Sequence, residues 1–459
     1  MEQSTLAWCR RLIGCRSVTG EGTRVIAELC AAELLAPCGI SARLIPSSRE
    51  GAEQVNLLAF VKGRDSALAP LVLNTHLDTV PPGDLALWTE CAGDPFTAKI
   101  SGERIYGLGA ADTKLDFLAK TIALGECGVP RRDVYLVGTF GEEHGLVGAK
   151  EVADTGLLPR GALAFVGEPS HLEVITAHKG LMVFELKVEF EPLRIDGAES
   201  AATAIFTGRA AHSSTPHLGQ NAIVAALKAL AAHPESHVVS LNGGDAVNKV
   251  PARCEAIIAA SDALPIANAA IVPIDETAHY FIPRTVIAML ARFVDALSGF
   301  AERTGAPEPG YTAPTLTCNP GVIRSSSNSV DLEFELRPPP ALALDVVREG
   351  VAKIVDELAR NSLGIRARVS EKRANPGFRS ESKSATVELA MSAMARASLP
   401  PKTGVKTGCT EAGIYAAAGL TPVVIGPGPS TGVIHAPNEY NLLSDVDAAI
   451  RFYRELLQL

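Results

Sequence analysis

The stretch LVLNTHLD, residues 71–78, decides the fold of this chain. Its opening residues are short and aliphatic, which is typical of a strand buried inside a sheet. The ionisable side chains His76 and Asp78 follow immediately. In open α/β sheets, functional groups lie just beyond the carboxyl ends of the strands. The stretch therefore predicts a buried strand that leads into a functional site.

The same pattern, a compact apolar run followed by an ionisable residue, recurs along the chain. The later instances are residues 106–111 leading to Asp112, 134–140 to Glu142 and Glu143, 162–167 to Glu168, and 421–425 through a glycine-rich loop to His435. We expect these groups to converge at one edge of a sheet, because the carboxyl ends of parallel strands meet there.

Short apolar strands alternate with helical stretches such as 115–124 and 147–153. This alternation predicts an α/β fold, with a mainly parallel central sheet flanked by helices. After Gly180 the pattern changes, since residues 181–190 alternate apolar and polar side chains as in a strand with one wet face. The α/β pattern returns near residue 375. We therefore predict a discontinuous catalytic domain, residues 1–179 and 374–459, with an enlarged α+β lid domain inserted at 180–373.

The predicted insert contains two similar segments. SLNGGDAVNKVPARCEA (240–256) and TCNPGVIRSSSNSVDLEFE (317–335) both place Asn-x-Gly before a second Asn and a strand. They are either copies of a duplicated unit or two similar turn-then-strand segments. The local preference of Gly and Asn for turns slightly favours coincidence.

Composition excludes several classes of protein. The net charge of −9 argues against a nucleic-acid or anionic-membrane partner, which would require a basic face. The nine dispersed cysteines, with no C-x-x-C pair, indicate reduced thiols. The sequence shows neither a signal peptide nor an apolar run of the ~20 residues that a transmembrane helix requires. A soluble cytoplasmic protein is expected.

Two histidines and several carboxylates at one sheet edge form a set of metal ligands. Imidazole nitrogen and carboxylate oxygen suit zinc with a position open for water, and an Asp between two metals can bridge them. Each residue alone is more simply a turn or capping residue. The recurrence of such residues at five strand ends favours a metal site over five independent turn or capping residues.

Several motifs carry a resemblance to a known family. THLDTVP (75–81), IYGLGAADTK (105–114), GEEHGLVGA (141–149), VGEPS (166–170) and IHAPNEYNLL (434–443) follow the order and spacing of these motifs in one metallopeptidase superfamily. That superfamily contains aminoacylases, glutamate carboxypeptidases, succinyl-diaminopimelate desuccinylase and acetylornithine deacetylase, and the chain resembles acetylornithine deacetylase most. The resemblance covers nearly the whole chain.

The resemblance implies a role for each matching residue. His76, Asp112 and Glu168 would hold one zinc ion. Asp112, as the bridge, would hold the other with Glu143 and His435, and cobalt is a possible substitute for zinc. Asp78 would orient His76, and Glu142 would be the general base.

The lid residues follow from the same resemblance. His212 would stabilise the oxyanion of the tetrahedral intermediate. Asn248, Arg337 and Gly408 would bind the substrate carboxylate. In relatives with small lids the Asn and Arg segments are close in sequence, whereas in this chain they are far apart. Such relatives usually form homodimers in which the lid His enters the neighbouring active site, and the resemblance implies a homodimer for this chain as well. A duplicated lid could replace that neighbour and permit a monomer.

The leading functional hypothesis is hydrolysis of the amide bond of a small N-acyl amino acid, such as acetylornithine in arginine biosynthesis. A dipeptidase or carboxypeptidase with the same two-zinc site is the second enzyme hypothesis. A non-catalytic binding protein on the same fold is a third. Binding proteins of this kind generally lose a metal ligand or the general base. This chain retains all six of the corresponding residues, His76, Asp112, Glu142, Glu143, Glu168 and His435.

Overall fold

The computed structural model of the protein describes residues 2–51, 53–259 and 266–459, without the side chains of residues 196–199 and 276. The chain forms two compact units. The first unit comprises Met1–His178 and Phe378–Leu459, and the second comprises Lys179–Gly377. The domain boundaries expected from sequence and the role of the second unit as a lid stay predictions.

The helices and strands follow one another along the chain in three segments. The first segment of the first unit contains α1 (Gln3–Gly14), α2 (Arg24–Leu29), β1 (Ala42–Pro46), β2 (Val55–Val61), β3 (Leu71–His76), β4 (Lys99–Ser101), β5 (Arg104–Tyr106), α3 (Lys114–Glu126), β6 (Val134–Thr139), α4 (Val147–Asp154), β7 (Leu163–Gly167) and β8 (Val174–His178). The second unit contains β9 (Leu181–Phe190), β10 (Leu193–Thr207), α5 (Ala222–Ala232), β11 (His237–Gly243), β12 (Arg253–Ala259), β13 (Ala269–Phe281), α6 (Arg284–Arg303), β14 (Thr317–Ser325), β15 (Ser329–Arg337), α7 (Leu344–Arg360) and β16 (Ile365–Asn375). The closing segment of the first unit contains β17 (Phe378–Arg379), α8 (Ala385–Arg396), β18 (Thr403–Lys406), α9 (Ala412–Ala417), β19 (Thr421–Val424), β20 (Tyr440–Leu442) and α10 (Leu443–Leu457).

The first unit is built on a nine-stranded sheet with the order β1-β2-β6-β3-β7-β19-β8-β17, and β18 pairs with β8. The four central strands β6, β3, β7 and β19 are parallel. The outer pairs β1–β2, β2–β6, β19–β8 and β8–β17 are antiparallel. The α/β prediction is confirmed, although parallel pairing is confined mainly to the centre of the sheet.

Strand β3 is buried on both faces, which explains its aliphatic sequence. Leu71 and Leu73 belong to a core that includes residues of α1, α3 and α10. Val72, which points to the opposite face, packs in a second core with residues of α4 and α9. Helices therefore cover both faces, and the carboxyl ends of the central strands meet at one edge. None of the described helices is both long and apolar enough to cross a membrane.

The second unit is an antiparallel eight-stranded sheet with the order β13-β10-β12-β11-β14-β15-β9-β16. Apolar residues of α5, α6 and α7 pack with one face of this sheet in a single core. The opposite face of β9, β15 and β16 carries charged residues in cross-strand pairs such as Lys372–Glu185 and Lys187–Asp331. Alternation of buried and solvated positions in β9 follows from this one-sided packing.

The sheet order of the second unit reveals a duplication. The unit contains an inner motif, β10-α5-β11-β12-β13, and an outer motif, β9-α6-β14-β15-α7-β16. If the strands of each motif are numbered along the chain, both motifs have the spatial order fourth, first, third, second. The motifs meet where β11 lies beside β14. The two similar sequence segments both lie on the second and third strands of their motifs. Asn242 is next to the end of β11, whereas Asn319 is near the start of β14, so the duplication rests on the sheet order and not on the Asn-x-Gly similarity.

Candidate metal centre

Asp112 lies between two histidines in the first unit. Its Oδ1 is 3.0 Å from His76 Nε2, and its Oδ2 is 3.2 Å from His435 Nε2. His435 Nε2 is also 3.1 Å from Glu143 Oε1. One carboxylate thus presents its two oxygens to two different imidazoles, as a bridging ligand requires.

Two overlapping groups of potential metal ligands share His76. His76, Glu142 and Glu168 form one group and His76, Asp112 and Glu143 the other, and within each group the ligand atoms lie within 4.8 Å of one another. All six predicted metal-site residues, including His435, are therefore brought together. They come from the ends of β3, β6 and β7 and from the loops before α3 and β20.

Asp78 contacts both the histidine and the glutamate pair. His76 Nδ1 is 3.0 Å from the backbone carbonyl oxygen of Asp78, and 3.7 Å from its carboxylate. The Asp78 carboxylate instead accepts hydrogen bonds from the backbone N–H groups of Glu142 and Glu143, at 3.2 and 3.3 Å. Its backbone therefore orients the imidazole, and its side chain holds the turn that carries the glutamates.

The pKa values of the cluster reflect burial and crowded negative charge. Burial raises the pKa of Glu142 well above its usual range, and the Glu168 carboxylate raises it further. Burial also opposes ionisation of Asp112, but hydrogen bonds with His435 and His76 hold its pKa well below the usual range. The pKa of His435 rises to about 11 against the effect of burial, because it hydrogen-bonds to two carboxylates.

The donor set fits two divalent cations. Four carboxylates and two imidazoles are gathered in a largely buried cluster, which requires positive charge for compensation. Ligand atoms ~2.0–2.2 Å from a tetrahedral zinc ion stand roughly 3.3–3.6 Å apart. The separations of 3.0–3.2 Å around Asp112 are close to that spacing. Small outward shifts of the side chains would accommodate the ions.

Sequence reasoning missed Glu439, four residues after His435. This buried carboxylate accepts hydrogen bonds from the backbone N–H groups of Ala111 and Asp112, at 2.8 and 3.0 Å. Asn441 on the same segment donates to the Ala110 carbonyl at 2.8 Å. The segment that carries His435 therefore also fixes the loop that carries Asp112. No local pattern predicts this, because the partners of Glu439 are backbone groups of a distant loop.

We expect Glu439→Ala to weaken metal binding about 10- to 100-fold, the usual effect of losing a group that supports a metal ligand. The neighbouring Asn438 offers a matched control, because its side chain bonds to Leu87, Thr89 and Glu90 rather than to the Asp112 loop. Isothermal titration of the metal-free variants with zinc measures the effect. Equal zinc affinities for Glu439→Ala and Asn438→Ala would contradict this role.

Lys406 is a second group that sequence reasoning missed. Lys406 is the last residue of β18, and its Nζ lies 3.3 Å from Glu168 Oε2.

Gly408 follows two residues later in the first unit, and a Cβ atom at that position would meet nothing within 4 Å. The open space beside Gly408 leaves its backbone accessible to a ligand.

The remaining predicted site residues belong to the second unit. His212 and Asn248 are exposed on adjoining loops, where Ser213 N donates to the Asn248 carbonyl at 3.0 Å. Arg337 is buried at the end of β15, and its Nε donates to Glu335 Oε1 at 2.5 Å. Ser213 donates to the same oxygen at 2.6 Å. The roles predicted for these residues stay predictions.

A cluster of imidazoles and carboxylates at the edge of an α/β sheet defines a metal-dependent hydrolase of the metallopeptidase and amidohydrolase class. The model of peptidase family M20/M25/M40 matches residues 72–459, and the chain belongs to that family.

Similar proteins include both deacetylases and peptidases. Acetylornithine deacetylase of Proteus mirabilis (strain HI4320) is 30% identical over 283 residues, which are 57% of this chain and 64% of the relative. The match therefore spans less than two thirds of that relative's length. The aminoacylhistidine dipeptidase of Vibrio alginolyticus has the same fold, with a TM-score of 0.69 at 17% identity over 100% of this chain and 96% of the other. A Bacillus subtilis protein described as a dinuclear metal binding peptidase of family M20 has a TM-score of 0.56 at 13% identity, over 99% and 97% of the two chains.

Proposed function

We propose that the protein hydrolyses the amide bond of a small N-acyl amino acid with two bound zinc ions, for which cobalt can substitute. The observation that carries the proposal is the convergence of His76, His435 and three glutamates around Asp112, with one glutamate more than the ligand set needs. The name of the Proteus mirabilis relative supports a deacetylase, and that of the Bacillus subtilis protein supports two metals.

The contacts of Asp112 suggest how the ligands are divided. Its Oδ1, which faces His76, would serve one metal position, and Glu168 would complete that position. Its Oδ2, which faces His435, would serve the other position together with Glu143. Bound zinc would supply an acidified water and polarise the scissile carbonyl.

Glu142 would then act as the general base. It lies within the His76 ligand group, yet neither metal position needs it once Glu168 and Glu143 are assigned. Its carboxylate would take the proton of the attacking water and pass it to the nitrogen of the departing amine. The raised pKa of Glu142 favours accepting that proton, while bound cations would shift the pKa downward.

The second unit would bind the rest of the substrate. We assign His212 to the oxyanion, and Asn248, Arg337 and the backbone of Gly408 to the substrate carboxylate. The Nε group of Arg337 donates a hydrogen bond to Glu335. The outer edge of its guanidinium, with two Nη groups, suits a bidentate grip on a carboxylate.

A dipeptidase is the second candidate. The name of the Vibrio alginolyticus relative and the enlarged second unit favour it. Steady-state kinetics with N-acetylornithine, other N-acetyl amino acids and a dipeptide panel would separate the candidates. Turnover of acetylated amino acids supports the deacylase, whereas exclusive turnover of dipeptides would refute it in favour of the dipeptidase.

The duplicated second unit predicts the oligomeric state. In dimeric relatives with small lids the partner supplies the lid histidine, and in this chain the inner motif carries His212 while the outer motif carries Arg337. We expect a fully active monomer of 48.1 kDa. Sedimentation velocity at assay concentrations provides the measurement. A dimer whose specific activity falls on dilution would contradict the expectation.

The expectations of a cytoplasmic location and of a role in arginine biosynthesis stay predictions. They follow from the resemblance to acetylornithine deacetylase. Growth of an arginine auxotroph that lacks its own deacetylase, after it receives this gene, would test the pathway assignment.

A further inference from the structure

The junction between the inner and outer motifs of the second unit is held mainly by side chains. The register of β11 and β14 contains one residue pair, Gly243 and Ile323. The Arg324 guanidinium donates from Nη1 to the Gly243 carbonyl and from Nη2 to the Gly244 carbonyl, both at 2.6 Å. A Cβ on Gly321 would lie 2.5 Å from Val247 Cα, so glycine is required for this close approach.

Asn319 is the buried centre of this junction. It stands on β14 of the outer motif and is 1% exposed. Its Nδ2 donates to the carbonyls of Val247 at 3.2 Å and Lys249 at 2.8 Å, in the inner motif. These residues flank Asn248, the proposed substrate-binding residue. One amide group therefore holds the backbone on both sides of Asn248.

The other end of the Asn319 amide is also fixed. Its Oδ1 accepts a hydrogen bond from Asn221 Nδ2 at 3.1 Å. Asn221 also donates to the Pro320 carbonyl at 2.7 Å, and its Oδ1 caps α5 by accepting from Val224 N at 3.1 Å. Because both amides are fully engaged, the orientation of Asn319 is determined.

The Asn248 loop in turn lies against the His212 loop. Val250 N donates to the Ala211 carbonyl at 2.9 Å, and Ser213 N donates to the Asn248 carbonyl at 3.0 Å. His212 and Lys249 form an isolated β-bridge. A displacement of residues 247–249 would therefore be transmitted to His212.

We infer that Asn319 is a positioning residue for the reaction, which holds Asn248 directly and His212 through Asn248's loop. The inference rests on the proposed function, since it assigns Asn319 an effect on residues whose roles are themselves proposed. Loss of the Asn319 amide leaves two backbone acceptors unpaired and lets the loop move. Misplacement of catalytic groups by about 1 Å can cost roughly 100-fold in rate.

The test uses Asn319→Ala and, as matched control, Asn242→Ala. Asn242 is the first Asn of the similar segment in the inner motif, and its Oδ1 accepts a hydrogen bond from Ser325 N at 3.3 Å at the same junction of β11 and β14. We expect Asn319→Ala to lower kcat/KM about 10- to 100-fold, with metal content unchanged, and Asn242→Ala to retain wild-type kinetics. Wild-type kcat/KM in Asn319→Ala would overturn the inference.

A double-mutant cycle with Asn248→Ala separates positioning from general destabilisation. Because Asn319 acts on His212 as well as on Asn248, its substitution is expected to cost less, but still to lower kcat/KM, in the Asn248→Ala background, whereas a fully additive loss would count against the inference. Should Asn319→Ala fail to fold, Asn319→Asp keeps the shape of the side chain and the acceptor for Asn221 but removes the donor to the Val247 and Lys249 carbonyls. Lowered kcat/KM supports the inference in that case, and unchanged kcat/KM overturns it.

Failure of the proposed function can be distinguished from failure of the positioning inference by two further variants. His212→Ala and Asn248→Ala are measured beside the other variants. If both retain full activity, the proposed roles of the second unit are wrong. If both lose activity while Asn319→Ala does not, only the positioning inference is wrong.

Discussion

Glu142→Gln is expected to bind two metal ions per chain and to lose turnover about 10²- to 10⁴-fold, the usual contribution of a general base. The amide is nearly isosteric with the carboxylate but cannot accept the proton of the attacking water. The proposed ligand set does not include Glu142, so metal binding should survive. Plasma mass spectrometry of the purified variant gives metal content, and steady-state kinetics gives turnover.

The adjacent glutamate provides the matched control. Glu143 Oε1 lies 3.1 Å from His435 Nε2, so Glu143→Gln should weaken binding at the position shared with His435. Adjacent substitutions of the same chemistry would then separate loss of the base from loss of a ligand. Glu142→Gln with wild-type turnover, or with only one bound metal, would refute the assignment of Glu142.

Asp112→Asn is expected to abolish the metal pair. An amide offers one neutral oxygen in place of two charged ones, so it cannot bridge the positions beside His76 and His435. We expect fewer than two metals per chain. Loss of about 4 kcal/mol of transition-state stabilisation corresponds to a fall of about a thousandfold in turnover.

Asp112→Glu serves as the comparison, because it keeps both oxygens and displaces them by one methylene group. Partial metal binding and intermediate activity are expected. Measurements of metal content and kcat at saturating zinc distinguish the two variants. If Asp112→Asn held two metals and retained most activity, Asp112 could not be the bridge.

The metal cluster could be predicted from sequence because it depends on local features. His76, Glu142 and Glu168 each follow an apolar strand, and the carboxyl ends of those strands meet wherever the central strands are parallel. The spacing of the motifs around these residues also resembles that of a known family. Neither source indicates Glu439 or Lys406, whose partners are separated from them in sequence and joined only by the fold.

The order of strands in the second unit could not be predicted from sequence. Alternation in residues 181–190 indicates a strand with one wet face, but it does not specify the neighbouring strands. The β9 strand pairs with β15 and β16, which follow it only after the whole inner motif. The similarity between residues 240–256 and 317–335 was the only signal of duplication, and Asn-Gly turns occur for local reasons. The strand order of the two motifs, which meet at β11 and β14, is what relates them.

The proposed metal pair is tested most directly by an anomalous difference map, recorded at the zinc edge from crystals of the protein grown with zinc. We expect two peaks about 3.5–4 Å apart, one beside His76 and one beside His435, with the Asp112 carboxylate between them. A single peak, or peaks remote from Asp112, would contradict a two-metal site bridged by that residue.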